Sequence, residues 1–537
     1  MTWSVLDTGV RKELTDAARF GRKRPASGRE GIAVTSHPVV TRIATDTLRA
    51  GGNAADAALA ASVAQTVVEP HMTTICGVLS MLYFDAKTGE TTYLNGSMAR
   101  PTELTSFATA DIPTARSVAV PGFWAAFEAG LARHGSMKKA DLVAPAIALA
   151  TEGFEVHPFL YGMAFEHIGI LGRYAQGRET YFPDGRLIEV GEVLRQPRVA
   201  ETLSRLVDEG SDFFYRGAFA QRLVDTVQAA GGVLTRQDLE DYEVRWMEPA
   251  RGTYRGYDVV GSPPPDRGGT HVIEILNLIE QIPLLEWGPP TQSADSLYWL
   301  TRFCGEVYVD GFNQRDPRDF HVPLELITSK DFAAQRFELM KMSDPKAAGS
   351  APYPGSNHVT VVDKDGNVAS ILHSVMSLPW SNGLFVDGVS LWAGAVHFLN
   401  NLPKAGGRGS CYVAPTIVFK DGEPVLSAGS PSLGLIQNIV QNTVNILDFG
   451  MDIEASVHTP RFGGPTADAF LSNSFGTYYC EADVDESLRD EVTRRGIGFD
   501  VVNPWNFHSG SYEGVHLVDG VGHACADPRR AGAAEAV

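Results

Sequence analysis

The stretch Pro354-Gly355-Ser356-Asn357-His358-Val359-Thr360-Val361-Val362-Asp363 decides how this chain is read. Upstream, Met342 to Tyr353 is rich in Pro, Gly, Ala and Ser and keeps neither a helical nor a strand period, so it reads as an exposed loop. Downstream, Val359 to Val362 is wholly β-branched, the composition of a strand. Asp363-Lys364-Asp365-Gly366-Asn367 then carries a hairpin-turn signal, and Val368-Ala369-Ser370-Ile371-Leu372 runs back. A proline-punctuated loop therefore enters a buried hairpin abruptly, at a Gly-Ser junction.

That junction has a chemical reading and a plain one. Glycine at 355 allows a close or strained backbone, and the Ser356 hydroxyl can attack its own preceding carbonyl. The amide becomes an ester, and water then cuts the chain. Ser356 would emerge as a new N-terminus with a hydroxyl nucleophile and an α-amine whose pKa lies near ~8, so that the neutral amine can act as general base. In the plain reading Ser356 is a linker serine at the mouth of a hairpin.

Composition bounds the alternatives. The 537 residues are 44% hydrophobic and 20% charged, a globular balance long enough for several domain-sized units or one large fold. A net charge of −19 without a basic stripe argues against a nucleic-acid partner. Cys76, Cys304, Cys411, Cys480 and Cys525 are scattered without metal-ligand spacing and read as reduced thiols. The histidines form no HExxH or paired-ligand pattern, so no metal and no cofactor is expected. Met1 to Glu30 mixes charges throughout and lacks the apolar core of a signal peptide, and no run approaches a membrane span, so the expectation is a cytoplasmic protein with no membrane contact. There is no internal repeat.

Along the chain, residues 1–28 read as an N-terminal arm. Gly31 to Ser36 is a buried strand, and Val39 to Arg49 a helix closed by Ala50-Gly51-Gly52. Ala54 to Val68 is an alanine-rich helix with no polar face, the pattern of burial on nearly all sides. Leu79–Phe84 and Thr91–Leu94 form a hairpin, and residues 158–250 read as a mainly helical lobe. Past the Gly-Ser junction come strands near 414–420 and 424–428, a Gly429-Ser430-Pro431-Ser432-Leu433-Gly434 junction, a helix from about Leu435 to Leu447, and a closing Asp527-Pro528-Arg529.

The segment Gly355 to Asn367 resembles the processing site of γ-glutamyltranspeptidases, and the elements above follow that family's order over roughly residues 30–530. The resemblance implies an α/β fold in four layers, the αββα N-terminal-nucleophile hydrolase architecture. It implies a precursor cut once between Gly355 and Ser356, giving a large fragment (29–355, with the processing loop at 342–355) and a small one (356–537) that stay together and act on a small molecule. Ser356 stands where the family usually has threonine. Ser374 stands where it has a second hydroxyl that orients the nucleophile, and Ser432 and Leu433 stand where a glycine pair offers its N–H groups to the oxyanion.

The family's glutamate-recognition positions are changed together. The place of the carboxylate-clamping arginine falls on Gly96 or Ser97, and Arg100 is the nearby substitute. Met376 replaces an asparagine, Cys411 and Tyr412 replace paired serines, and Asn400-Asn401 is kept without the aspartates that should follow. A site that has lost these partners should not hold a zwitterionic glutamyl head, whose charges would be buried unpaired. The foremost expectation is an amide or acyl hydrolase for a non-glutamyl substrate, working through a Ser356 acyl-enzyme. The alternatives are a biosynthetic hydrolase of C–C bonds of the kind found in antibiotic pathways, a genuine γ-glutamyl transferase, and an unprocessed scaffold protein.

Overall fold

The structure is a computed structural model and describes residues 3–311, 314–345, 356–376, 378–399, 401–432, 434–465 and 477–537. The hairpin at its centre forms as the sequence pattern predicts. Ser356–Asp363 pairs antiparallel with Val368–Ser374, with Ser356 opposite Ser374 and Val362 opposite Val368. Asp363 fixes the turn: its carboxylate accepts the N–H groups of Asp365 and Asn367, and Gly366 supplies the left-handed residue at φ +85°. The same carboxylate takes the Ala54 N–H at 2.9 Å, which ties the hairpin to the start of the alanine-rich helix.

Around this hairpin the described residues build two seven-stranded antiparallel sheets. The first runs Ala533–Ala536, Gly31–Thr35, Ser356–Asp363, Val368–Ser374, Val78–Asp85, Glu90–Gly96 and Arg245–Met247 in spatial order. The second runs Pro25–Gly28, Val521–Cys525, Val515–Val518, Glu423–Ala428, Thr416–Lys420, Tyr257–Gly261 and Ala250–Tyr254. Strand alternation sends Val359 and Val361 to a helix-covered face and Val362 to the opposite one, where it meets Ile32, Phe84, Ile417, Phe419 and Val515 from both sheets. Helices Pro38–Arg49 and Ala54–Val68 cover the outside of the first sheet. Helices Gly268–Ile279, Ala294–Asp310 and Leu435–Leu447 cover the second. Helix, sheet, sheet, helix is the expected four-layer α/β fold.

Local chemistry explains the central helix. Every residue of Ala54–Val68 is buried, which its small side chains permit, and Asn53 and Asp56 close its first turn in a reciprocal capping box. Two segments differ in detail from their sequence reading. Residues 3–28 contain the helix Thr8–Asp16 and the edge strand Pro25–Gly28, paired with Val521–Cys525. Residues 158–250 do hold helices, Pro158–Glu166, Pro197–Ser211 and Ala218–Ala229 among them, but Leu160, Leu203, Phe219 and Leu223 join the core under the first sheet. No helix among the described residues is long and apolar enough to cross a membrane.

Candidate active site

Ser356 heads the central strand of the first sheet, and its register partner Ser374 brings a second hydroxyl to 2.9 Å from its own. The Ser374 oxygen also accepts the Met376 N–H at 2.7 Å. Either hydroxyl can donate in the bond between Ser374 and Ser356. Met376 makes this bond from a left-handed backbone, φ +52°, that costs a non-glycine residue about 1 kcal/mol. Gly77 explains why the strand end sits so close to its neighbour. A Cβ at 77 would lie 2.2 Å from the Ser374 carbonyl oxygen, so only glycine fits. Gly355, the other half of the junction, lies outside the described residues.

No histidine among the described residues bonds the Ser356 hydroxyl. The nearest along the hairpin, His358 and His373, are buried and pushed down to about 3, too low for an effective base at neutral pH. His358 instead works as a wedge. Its Nε2 lies 3.2 and 3.1 Å from the Thr360 and Ser370 hydroxyls, and the ring fills the space beside Gly429, where a Cβ would lie 2.0 Å from it. The loop beginning at Gly429 is thereby pressed onto the strand that Ser356 heads, and the Glu513 N–H holds the Gly429 carbonyl at 2.9 Å. Ser432 follows at φ +81° with its hydroxyl on the Phe507 carbonyl at 3.2 Å. A serine thus keeps a backbone suited to glycine. Leu433, its expected partner in an oxyanion hole, lies outside the described residues.

The closing Asp-Pro-Arg segment supplies a feature that sequence reasoning missed. Arg529 is fully buried between Glu481 at 2.5 Å and Asp527 at 3.0 Å, and Asp527 also meets Arg461 at 3.3 Å. That network anchors the next residue, Arg530, whose Nη2 donates to the Ser356 carbonyl at 3.3 Å and to Asn357 Oδ1 at 2.6 Å. Glu69 approaches Arg530 to 3.7 Å. The only sequence signal for Arg530 was a second arginine after Asp-Pro, in a tail otherwise rich in alanine.

The remaining recognition candidates are placed unevenly. Met376 adjoins the hydroxyl pair, and its carbonyl accepts from His397 Nε2 at 3.0 Å. Arg100 is turned onto backbone: its guanidinium donates to the carbonyls of Leu104 (2.7 Å), Pro403 (2.8 Å) and Thr102 (3.4 Å), bracing two loops. Ser97 is drawn inward to Asp266 at 2.6 Å, where Ser80, Tyr93 and Asn95 also donate. Cys411 packs its sulfur against Met98 at 3.5 Å, and burial pushes its thiol far up. Tyr412 lies beneath Arg267, 4.2 Å from ring centre to guanidinium, among the helices outside the second sheet. Asn401 is held by its N–H on the Phe398 carbonyl, and Asn400 lies outside the described residues. Among the described residues no group of three or more His, Cys, Asp or Glu side chains is placed to hold a metal.

Two sheets between helical layers, with a hydroxyl residue heading a central strand, mark the chain as an N-terminal-nucleophile hydrolase. The family model for gamma-glutamyltranspeptidase matches residues 40–537, and the chain belongs to that family of hydrolases and transferases. It is 29% identical to a glutathione hydrolase proenzyme of Bacillus subtilis, over 93% of this chain and 92% of that one. It is 30% identical to the acylase ACY 1 proenzyme of a Pseudomonas species, over 82% of this chain and 83% of that one. The cephalosporin acylase from Bacillus halodurans superposes with a TM-score of 0.86 at 25% identity, covering 96% of this chain and 97% of that one.

Proposed function

We propose that the chain is a self-processing acylase that cleaves the amide of a non-glutamyl small molecule through an ester on Ser356. The observation that carries this reading is the hydroxyl pair at the head of the central strand, Ser356 and Ser374 at 2.9 Å. In the maturation step Ser356 Oγ bonds the Gly355 carbonyl carbon, the C–N bond breaks, and water hydrolyses the ester. In turnover the Ser356 proton passes to the new α-amine as Oγ bonds the substrate carbonyl, and then to the leaving nitrogen. Water releases the acyl group. The left-handed loop at Ser432 supplies the N–H groups for the oxyanion.

Specificity away from glutamate is supported by the inward turn of Ser97, the bracing role of Arg100 and the apolar Met376 beside the nucleophile. None of the three offers a two-pronged grip on a carboxylate. The acylases among the similar proteins favour the same direction.

Intact mass and N-terminal sequencing of the purified protein, beside a Ser356→Ala variant, form the first test. The expected result is two fragments, the smaller beginning Ser-Asn-His-Val, with the variant left whole. Turnover of a panel of acyl p-nitroanilides forms the second, with simple uncharged acyl groups expected to outpace γ-glutamyl. Rapid γ-glutamyl release would sink the specificity reading, and an uncut parent chain would sink the nucleophile.

A further inference from the structure

We propose that Arg530 is the positioning residue of the nucleophile, holding the backbone of Ser356 and keeping its α-amine in the neutral, proton-accepting form. The proposal rests on the reading of Ser356 as a processed N-terminal nucleophile, and it follows from where the guanidinium sits. In an antiparallel ladder the N–H and C=O of one residue point to the same side of the strand. The Ser356 carbonyl points to Arg530, at 3.3 Å from Nη2, so the nitrogen that becomes the α-amine faces the same guanidinium. The neighbouring strand, Gly31–Thr35, pairs no further along than Val359. Arg530 thus occupies the place where a strand partner would otherwise continue, and its bond to Asn357 Oδ1 at 2.6 Å fixes the next residue.

The charge there is only partly neutralised. Arg530 is fully buried, its Nε and Nη1 have no hydrogen-bond partner among the described residues, and its counter-charge Glu69 stands back at 3.7 Å. Phe159 and Phe507 flank the guanidinium at 4.8 and 5.4 Å and keep water away, so its field is weakly screened. The other titratable groups packed around it add little. His37 and His71 are pushed far down by burial, and His157 to about 4, so all three are neutral. Glu513 is pushed up to about 8 and is largely uncharged at neutral pH. Asp527 is committed to Arg461 and Arg529. Burial also raises the Glu69 carboxyl, against the pull of Arg530 and Gln65. A cation facing an ordinary α-amine disfavours its protonated form.

The test needs no substrate. Trace acetic anhydride is used to acetylate the processed protein across pH 5–10, and the mass of the peptide beginning at Ser356 reports the fraction of neutral amine. The parent midpoint is expected below the ordinary value of ~8. Arg530→Gln is expected to move it up by about one pH unit, a tenfold loss of neutral amine below the midpoint, while Arg530→Lys keeps the charge and most of the effect. Glu69→Gln is expected to move it down, and it carries the test if Arg530→Gln fails to fold or to cut itself. A cut chain whose midpoint is the same in the parent, Arg530→Gln and Glu69→Gln overturns the role of Arg530 alone. A parent chain that is never cut has no α-amine and overturns both readings.

Discussion

Replacing Ser374 by alanine removes an oxygen that bonds both Ser356 Oγ and the Met376 N–H, and these two losses have different sizes. The Met376 N–H, now 2.7 Å from Ser374 Oγ, is left buried without an acceptor. That costs about 1–3 kcal/mol of stability. For a chain of this length it lowers the melting midpoint by only roughly 1–3 °C. Ser356, the proposed nucleophile, loses more. Ser356 Oγ, 2.9 Å from Ser374 Oγ, forfeits a hydrogen bond that strengthens as negative charge develops on it. A charge-assisted bond is worth about 2–3 kcal/mol, or roughly 30- to 150-fold in rate. Because the loss falls on the transition state, kcat should drop with KM nearly unchanged. Self-cleavage uses the same hydroxyl and should slow by a similar factor. The assay is the conversion of freshly synthesised precursor, followed by mass, and then anilide turnover by whatever is cut. Ser374→Thr keeps the hydroxyl and should stay close to the parent. A Ser374→Ala protein within threefold of the parent in both steps would refute the reasoning and leave Ser374 an ordinary strand residue.

Three further outcomes follow from the same geometry. Gly429→Ala places a methyl 2.0 Å from the His358 ring, which two buried hydroxyls hold in place; the loop at Ser432 must move instead, and kcat should fall about a hundredfold, as kinetics and melting together would show. Glu513 is raised to about 8 from an unfolded value near ~4.3, so the folded chain holds a proton that the unfolded chain has lost. Its contribution is most favourable at low pH and declines as pH rises from about 4 to about 8; Glu513→Gln should therefore gain more in melting midpoint at pH 8.5 than at pH 5, by up to a few kcal/mol equivalent. Arg529→Met leaves Glu481 and Asp527 buried without their shared cation, at a cost of roughly 3–5 kcal/mol, and should appear as a melting midpoint several degrees lower or as loss of soluble protein.

The parts of the fold legible in the sequence are those whose signals are local. The hairpin at 356–374 is announced by a β-branched run, a turn signal and a second run. The alanine-rich helix is announced by the absence of any polar face. What was illegible depends on partners far along the chain. Ala533–Ala536 is a run of alanine and glutamate with little strand preference, yet it pairs with Ile32 to Thr35 because that edge needs covering. Pro25–Gly28 is as weak a strand by composition and is held in the same way by Val521–Cys525. The parallel pair Thr477–Glu481 and Gly498–Val502 joins segments with a helix between them, so no hairpin signal marks it. At the candidate site, Ser356 could be proposed from the Gly-Ser junction, and Ser374 and the Gly429 loop from the family resemblance. Arg530 could not, because its meaning lies in a contact spanning 174 residues.

This division also bears on how such a site changes its substrate. The geometry around the nucleophile is set mostly by backbone: the Ser356 to Ser374 register, the close approach at Gly77, the wedge of His358 against Gly429 and the left-handed residue at Ser432. The side chains of Ser97, Arg100, Cys411 and Tyr412 take no part in that frame. Ser97 and Asp266 form a closed hydrogen-bonded set, and Arg100 spends its guanidinium on loop carbonyls. Of these, Arg100 is the one whose exchange is expected to leave the hydroxyl pair undisturbed, because its bonds run to the carbonyls of Leu104 and Pro403. The frame tolerates little at its two glycines, since a methyl group added at Gly77 or Gly429 would lie 2.2 or 2.0 Å from its neighbour. A protein-engineering route to new acyl groups should accordingly leave Gly77, Gly429 and Ser374 alone and vary Met376. Among the described residues Met376 bonds the frame through its backbone N–H, so exchanging its side chain should alter KM across an acyl panel while self-cleavage stays intact.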